Sequence, residues 1–171
     1  MLRLVTLDLD LAEAAVHDRP GLARALDVEL ADGWDAFPGA LRRTRDALAA
    51  DPSGAEWGSR LFVLAEPPTL VGWGGFKGAP VGGAVEIGYA VAPGWQGRGI
   101  ATAAVGAMLD AAFADPAIRS VIAHTLPGPN ASTRVLEKSG FAHEADVIDL
   151  QAGTAWRFRL EKPSHDRVKV R

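Results

Sequence analysis

Between Glu86 and Leu109 the chain reads EIGYAVAPGWQGRGIATAAVGAML, and this stretch limits the possible folds more than any other. Val85, Ile87, Tyr89 and Val91 alternate with Glu86, Gly88 and Ala90. That is the period of a strand with one apolar face and a second face of small residues carrying a single carboxylate. Further on, Ile100, Ala104, Met108 and then Ala111 or Ala112 recur at helical spacing until Pro116 marks an end. The chain must therefore pass from strand to helix within PGWQGRG.

The chemistry of such a turn follows from its place. The first N–H groups of a helix have no partner within it, and the positive end of the helix dipole lies there, so a glycine-rich entry is an anion site. Here the donors are Gln96, Gly97, Arg98, Gly99, Ile100 and Ala101. Gly97 and Gly99 permit backbone angles closed to other residues, and Arg98 adds a cation. A P-loop needs Lys then Ser or Thr after its last glycine, which this turn lacks, while Lys77 precedes a glycine elsewhere. The dinucleotide pattern starts acceptably at Gly97 and Gly99 but has Thr102 at its sixth position, and no second strand ending in a carboxylate follows at the needed distance.

The remaining segments supply the setting. LRLVTLDL reads as a first strand, and Leu11 to Ala50 as helical with breaks at Pro20 and around DGWDAFPG. DPSGAEWGS is a loop, RLFVLAE and LVGWGGFKG form a hairpin over Pro67 and Pro68, and RSVIAHT is a short strand. In ASTRVLEKSGF a second helix is capped by Asn130 or Ser132 and stopped at Gly140. FAHEADVIDL and TAWRFRLE close as a hairpin over QAG. This order predicts one mixed α+β domain over residues 1–162, with 163–171 as a solvated tail.

Composition removes several function classes. A net charge of −3 gives no general attraction to nucleic acid, and the absence of Cys removes thiolate metal sites and thiol nucleophiles. His17, His143 and His165 have no metal-ligand spacing, so no metal is expected. No run approaches the ~20 apolar residues of a membrane span, and the N-terminus lacks a leader pattern, so a cytoplasmic protein is expected.

Gln96-Gly97-Arg98-Gly99-Ile100-Ala101 meets the pattern Gln/Arg-x-x-Gly-x-Gly/Ala at every fixed position. In this the sequence resembles the GNAT family of acetyl-CoA-dependent N-acetyltransferases. NASTRVLEKSGF, RLVTL and VGWGGF are similar to the branch that holds RimJ and RimL. The resemblance implies a central, mostly antiparallel sheet that splays beside EIGYAV. Acetyl-CoA would be the cosubstrate, with its pantetheine on the backbone of Val91 and Ala92 and its pyrophosphate on the QGRGIA amides. The partner would be an amine acceptor, a small molecule or a protein N-terminus, and dimers are common in such a family.

For the chemistry, Glu86 is the candidate base, acting through water, because family members often place a glutamate there and its neighbours are small. The alternative is a carboxylate bonded to nearby backbone. The resemblance places Asn130 and Ser132 near the thioester and leaving thiolate, although Asn130 stands two residues before Ser132 where related sequences more often have three. The family's usual acid, a Tyr five residues before the Phe, is Leu136 here. His124 follows an apolar strand near the expected opening, where it reads as a substrate contact or as a hydrogen-bonded strand-end residue, and Trp34, Phe37 and Trp57 lie in loop-like surroundings where the family builds its acceptor pocket, although large aromatics are also ordinary core anchors. A catalytically silent acyl-CoA-binding domain and a nucleotide-binding domain are the competing readings.

Overall fold

Among the described residues eight segments pair as strands, most of them marked by apolar alternation or by a continuous apolar run. The computed structural model describes residues 1–149 and 153–164. Its strands are β1 (Leu2–Thr6), β2 (Glu29–Leu30), β3 (Ser59–Ala65), β4 (Pro68–Phe76), β5 (Ala84–Val91), β6 (Ser120–Thr125), β7 (Ala142–Asp149) and β8 (Gly153–Glu161). They form one sheet in the order β1-β3-β4-β5-β6-β8-β7, with β2 paired to β4. Only the β2–β4 and β5–β6 pairs are parallel. The fold is thus the expected single α+β domain around a mostly antiparallel sheet.

The helices are α1 (Leu9–His17), α2 (Arg19–Leu26), α3 (Pro38–Ala50), α4 (Ile100–Ala114) and α5 (Ala131–Lys138). The α4 bounds agree with the sequence reading, and its buried stripe of Ile100, Ala104, Met108 and Ala112 packs into the core. The break assigned to Pro20 falls instead at Asp18, whose carboxylate caps α2 by accepting from Gly21 N. Pro20 lies in the first turn of α2, where a missing N–H costs nothing. The 11–50 segment also contains β2, whose two residues are too few to show a period, and the 52–58 loop holds one 3-10 turn, Pro52–Ala55.

Two features of the sheet position the site. β4 and β5 lie so close that a Cβ on Gly74 would stand 2.3 Å from the Gly88 carbonyl oxygen, so glycine is required for the approach. On its other side β5 pairs with β6 from Ala84–Ser120 only as far as Ile87–Ala123. Beyond that point the parallel strands part. The tail expected from residue 163 lies, from residue 165 on, outside the described residues, as does the QAG turn before residue 153.

Candidate active site

The parting of β5 from β6 leaves backbone unsatisfied on one edge. Ala92 N–H donates to Val71 on β4 (2.7 Å) and Lys77 N–H to Glu86 (2.9 Å). Alternation along an antiparallel pair therefore turns the polar groups of Glu86, Gly88, Ala90 and Ala92 toward β4, and those of Tyr89 and Val91 toward the gap. Val91 N–H and Tyr89 N–H thus face the opening, whereas Ala92 N–H is bonded to β4.

At the open end of the gap stands the glycine turn. Gly97 and Gly99 have φ of +74° and +76°, with nothing near the position of a Cβ on either. Gly99 is the N-cap of α4 and supplies no side-chain cap, and the first helical bond runs from Ala103 N to Gly99 O at 2.9 Å. Among the described residues the N–H groups of Gly97, Arg98, Gly99, Ile100 and Ala101 have no acceptor. Arg98 is exposed, its guanidinium 4.7 Å over the Trp95 ring, a cation–π contact that holds the charge at the turn. These groups fit a pyrophosphate. Gln96 does something else: its side chain donates to Val91 O at 3.0 Å, tying the turn to the strand end.

At the closed end stands Glu86. Its Oε1 accepts from Lys77 Nζ at 2.7 Å and lies 2.9 Å from His124 Nδ1. Its Oε2 has no hydrogen-bond partner among the described residues. Burial pushes the carboxyl pKa up, but hydrogen bonds and charge from Lys77 and His124 outweigh it and hold the group below its ordinary value. An ionised carboxylate only accepts, so His124 Nδ1 carries the proton, and a neutral ring presents its lone pair at Nε2. Lys77, Glu86, His124, Val147, Ile148 and Arg157 line a cleft of about 290 Å³, at the small end of ligand pockets and suited to one side-chain-sized group.

Sequence reasoning expected free space over Gly88 beside Glu86. Lys77 fills it: a Cβ on Gly88 would meet Lys77 Cε at 2.9 Å. Lys77 is the cross-strand neighbour of Glu86, and Arg157 pairs across β6–β8 with His124. Neither was found from sequence, because each reaches the cleft through strand register.

On the opposite face of β5, the Tyr89 hydroxyl donates to Ser132 O at 3.2 Å. Burial pushes its pKa up to about 12 from 10.0. Tyr89 is the one tyrosine of the chain, so phenolate absorbance reports it alone. The midpoint should lie near 12, and one near 10.0 would contradict the burial of this ring. The neutral phenol's contribution to stability is complete below the ordinary value and is lost as pH rises through the folded one.

The other expected residues divide. Asn130 Oδ1 accepts from Thr133 N (3.0 Å), and its Nδ2 donates to Leu126 O and Gly128 O (3.0 Å each), so its amide is engaged as the cap of α5. The Ser132 side chain is half-buried with no hydrogen bond among the described residues, and Leu136 is fully buried. Trp34 is also fully buried, a core anchor and not a pocket wall. Trp57 packs edge-on against Phe76 at 5.0 Å, and Phe37 is exposed at the start of α3. None of these three aromatics lines the cleft, whereas His124 does. Among the described residues no group of three His, Asp or Glu is arranged to hold a metal, and no helix is long and apolar enough to cross a membrane.

A gap that ends at the unpaired amides of a helix N-terminus on one side and at a carboxylate on the other suits an acyltransferase working with a long, phosphate-bearing acyl carrier. The family model for the acetyltransferase (GNAT) domain matches residues 1–142, so the chain belongs to the GNAT acetyltransferases. That family uses acetyl-CoA.

Solved structures agree on the fold. Ribosomal-protein-S5-alanine acetyltransferase from Vibrio fischeri is 17% identical over 99% of this chain and 94% of its own, with a TM-score of 0.64. RimJ from Mycobacterium smegmatis, in complex with CoA-disulfide, is 22% identical over 94% of this chain and 81% of its own, also at 0.64. The dodecameric spermidine N-acetyltransferase from Vibrio cholerae is 17% identical over 94% and 93%, at 0.62. Among curated proteins none matches in sequence.

Proposed function

We propose that this chain transfers the acetyl group of acetyl-CoA directly to a primary amine held in the Glu86 cleft. The observation that carries the proposal is the parting of β5 from β6 after Ile87, with unpaired amides at the α4 end and an ionised carboxylate at the other. Bound there, acetyl-CoA supplies an activated acyl thioester. The Val91 and Tyr89 backbone positions the pantetheine arm, and Gly97, Arg98, Gly99, Ile100 and Ala101 hold the pyrophosphate.

An amine attacks only when neutral, so a proton must leave it at or before attack. Glu86 Oε2 is the receiving atom, directly or through one water, because Oε1 is already occupied. A carboxylate held low in pKa is a weak base, which suits an acceptor of low pKa. An α-amine near 8 is roughly a tenth neutral at pH 7, whereas a lysine-type amine near 10.4 is neutral in fewer than about one molecule in a thousand. The family's Tyr acid being replaced by buried Leu136, the Ser132 hydroxyl is the side-chain group assigned to meet the leaving thiolate. The ribosomal-protein-S5 alanine named for one relative, a residue whose one amine is an α-amine, fits this acceptor class better than the spermidine named for another.

The test is release of CoA thiol from acetyl-CoA over a panel of peptides with free N-termini, amino acids and polyamines. The expected result is turnover with α-amines and little with polyamines. Intact acetyl-CoA binding with no transfer to any amine would instead mark a catalytically silent acyl-CoA-binding domain.

A further inference from the structure

We propose that Lys77 is itself an acetyl acceptor, a self-modification site within the Glu86 cleft; this rests on the acetyl-CoA reading above. Three observations carry it. Lys77 Nζ lies 2.7 Å from Glu86 Oε1, within direct proton-transfer distance of the carboxylate assigned as base. The Lys77 stem lies over Gly88, the first β5 residue beyond the last β5–β6 pair, so its amine stands at the closed end of the gap through which the thioester must enter. Finally, the side chain is 53% exposed, free to swing by a rotamer without disturbing the core.

The chemistry balances with acetyl-CoA as the only co-reactant. The Lys77 ammonium gives one proton to Glu86, which passes it to solvent; permanent placement beside the carboxylate offsets the low neutral fraction that disfavours a lysine-type amine arriving from solution. The neutral Nζ then forms a bond to the thioester carbonyl carbon as the carbon–sulfur bond breaks. A second proton leaves nitrogen for the CoA thiolate, and the third stays on the new amide. The acetylated side chain no longer carries the charge that strengthens the acidity of Glu86, so the modification leaves Glu86 a better base for an external amine.

The chain has four lysines, Lys77, Lys138, Lys162 and Lys169, so the others are internal references. Isotope-labelled acetyl-CoA is incubated with the full chain, and labelling of each lysine is followed by peptide mass spectrometry. Lys77 should be labelled about tenfold or more faster than Lys138, and Glu86→Gln should bring the two within about twofold, because positioning beside the base supplies the advantage. A readout free of turnover accompanies it: unacetylated CoA should lower the reaction of Lys77 with an amine-modifying reagent several-fold relative to Lys138.

Equal labelling of Lys77 and Lys138, or no protection by CoA that binds, overturns the proposal. The amine panel run on the same sample separates the two readings. Turnover with unlabelled Lys77 removes this inference alone, whereas no acetyl-CoA binding at all removes both.

Discussion

Glu86→Gln should lower kcat by about a hundredfold or more, the usual effect of removing a positioned proton acceptor, while leaving the affinity for acetyl-CoA nearly unchanged. The amide keeps the size of the carboxylate and a carbonyl oxygen for Lys77 and His124. It loses the negative charge and with it the ability to take a proton. Steady-state kinetics with circular dichroism as a fold control measure this, and equal loss of kcat and acetyl-CoA binding would place the residue in structure and not in proton transfer. The pH dependence of stability has a defined sign. Because the folded carboxyl is held below its ordinary value, its contribution is complete above the unfolded pKa and is lost as pH falls through the folded one. The Gln variant should lack that acid-side loss.

Gly99→Trp should abolish acetyl-CoA binding, a fall of at least about a hundredfold or ~3 kcal/mol. Two effects combine. The φ of +76° is costly for any side chain, about 1–2 kcal/mol in the left-handed region. The indole would also project into the open space beside the unpaired Gly97, Arg98 and Ile100 amides, where the pyrophosphate is placed. Gly99 lies at the exposed N-terminus of α4, outside the buried stripe, so the variant should stay folded. Calorimetric titration measures the loss. Unchanged affinity in a folded Gly99→Trp protein would move the phosphate site elsewhere.

Local signals made α4 legible. Gly99 permits the entry, the four-residue repeat of Ile100, Ala104, Met108 and Ala112 marks the buried stripe, and Pro116 follows its end. The alternation in β5 was equally local, and it located Glu86 correctly on the face away from Tyr89. What local signals could not show was how strands sit beside one another. Lys77 enters the cleft because it pairs across the hairpin with Glu86, and Arg157 because β6 and β8 place it opposite His124. Trp34 carried two readings for a related reason. Its loop-like, Gly- and Pro-rich surroundings suit a pocket wall or a core anchor, and Ala31 N–H, bonding to Leu70 O, draws the segment against the sheet, where the ring is fully covered. Asn130 carried two readings at once, and the structure uses its Oδ1 to cap α5 and its Nδ2 to hold the preceding loop through Leu126 O and Gly128 O.

In the proposed complex acetyl-CoA lies along the free edge of β5 with its pyrophosphate at the start of α4. Amide chemical-shift mapping of the full chain during titration with acetyl-CoA tests that most directly. The predicted result is a continuous track of shifted amides at Tyr89, Val91, Gly97, Arg98, Gly99, Ile100 and Ala101, with Glu86 and Lys77 responding at its closed end. Saturable binding that leaves these amides unmoved and shifts others would contradict it.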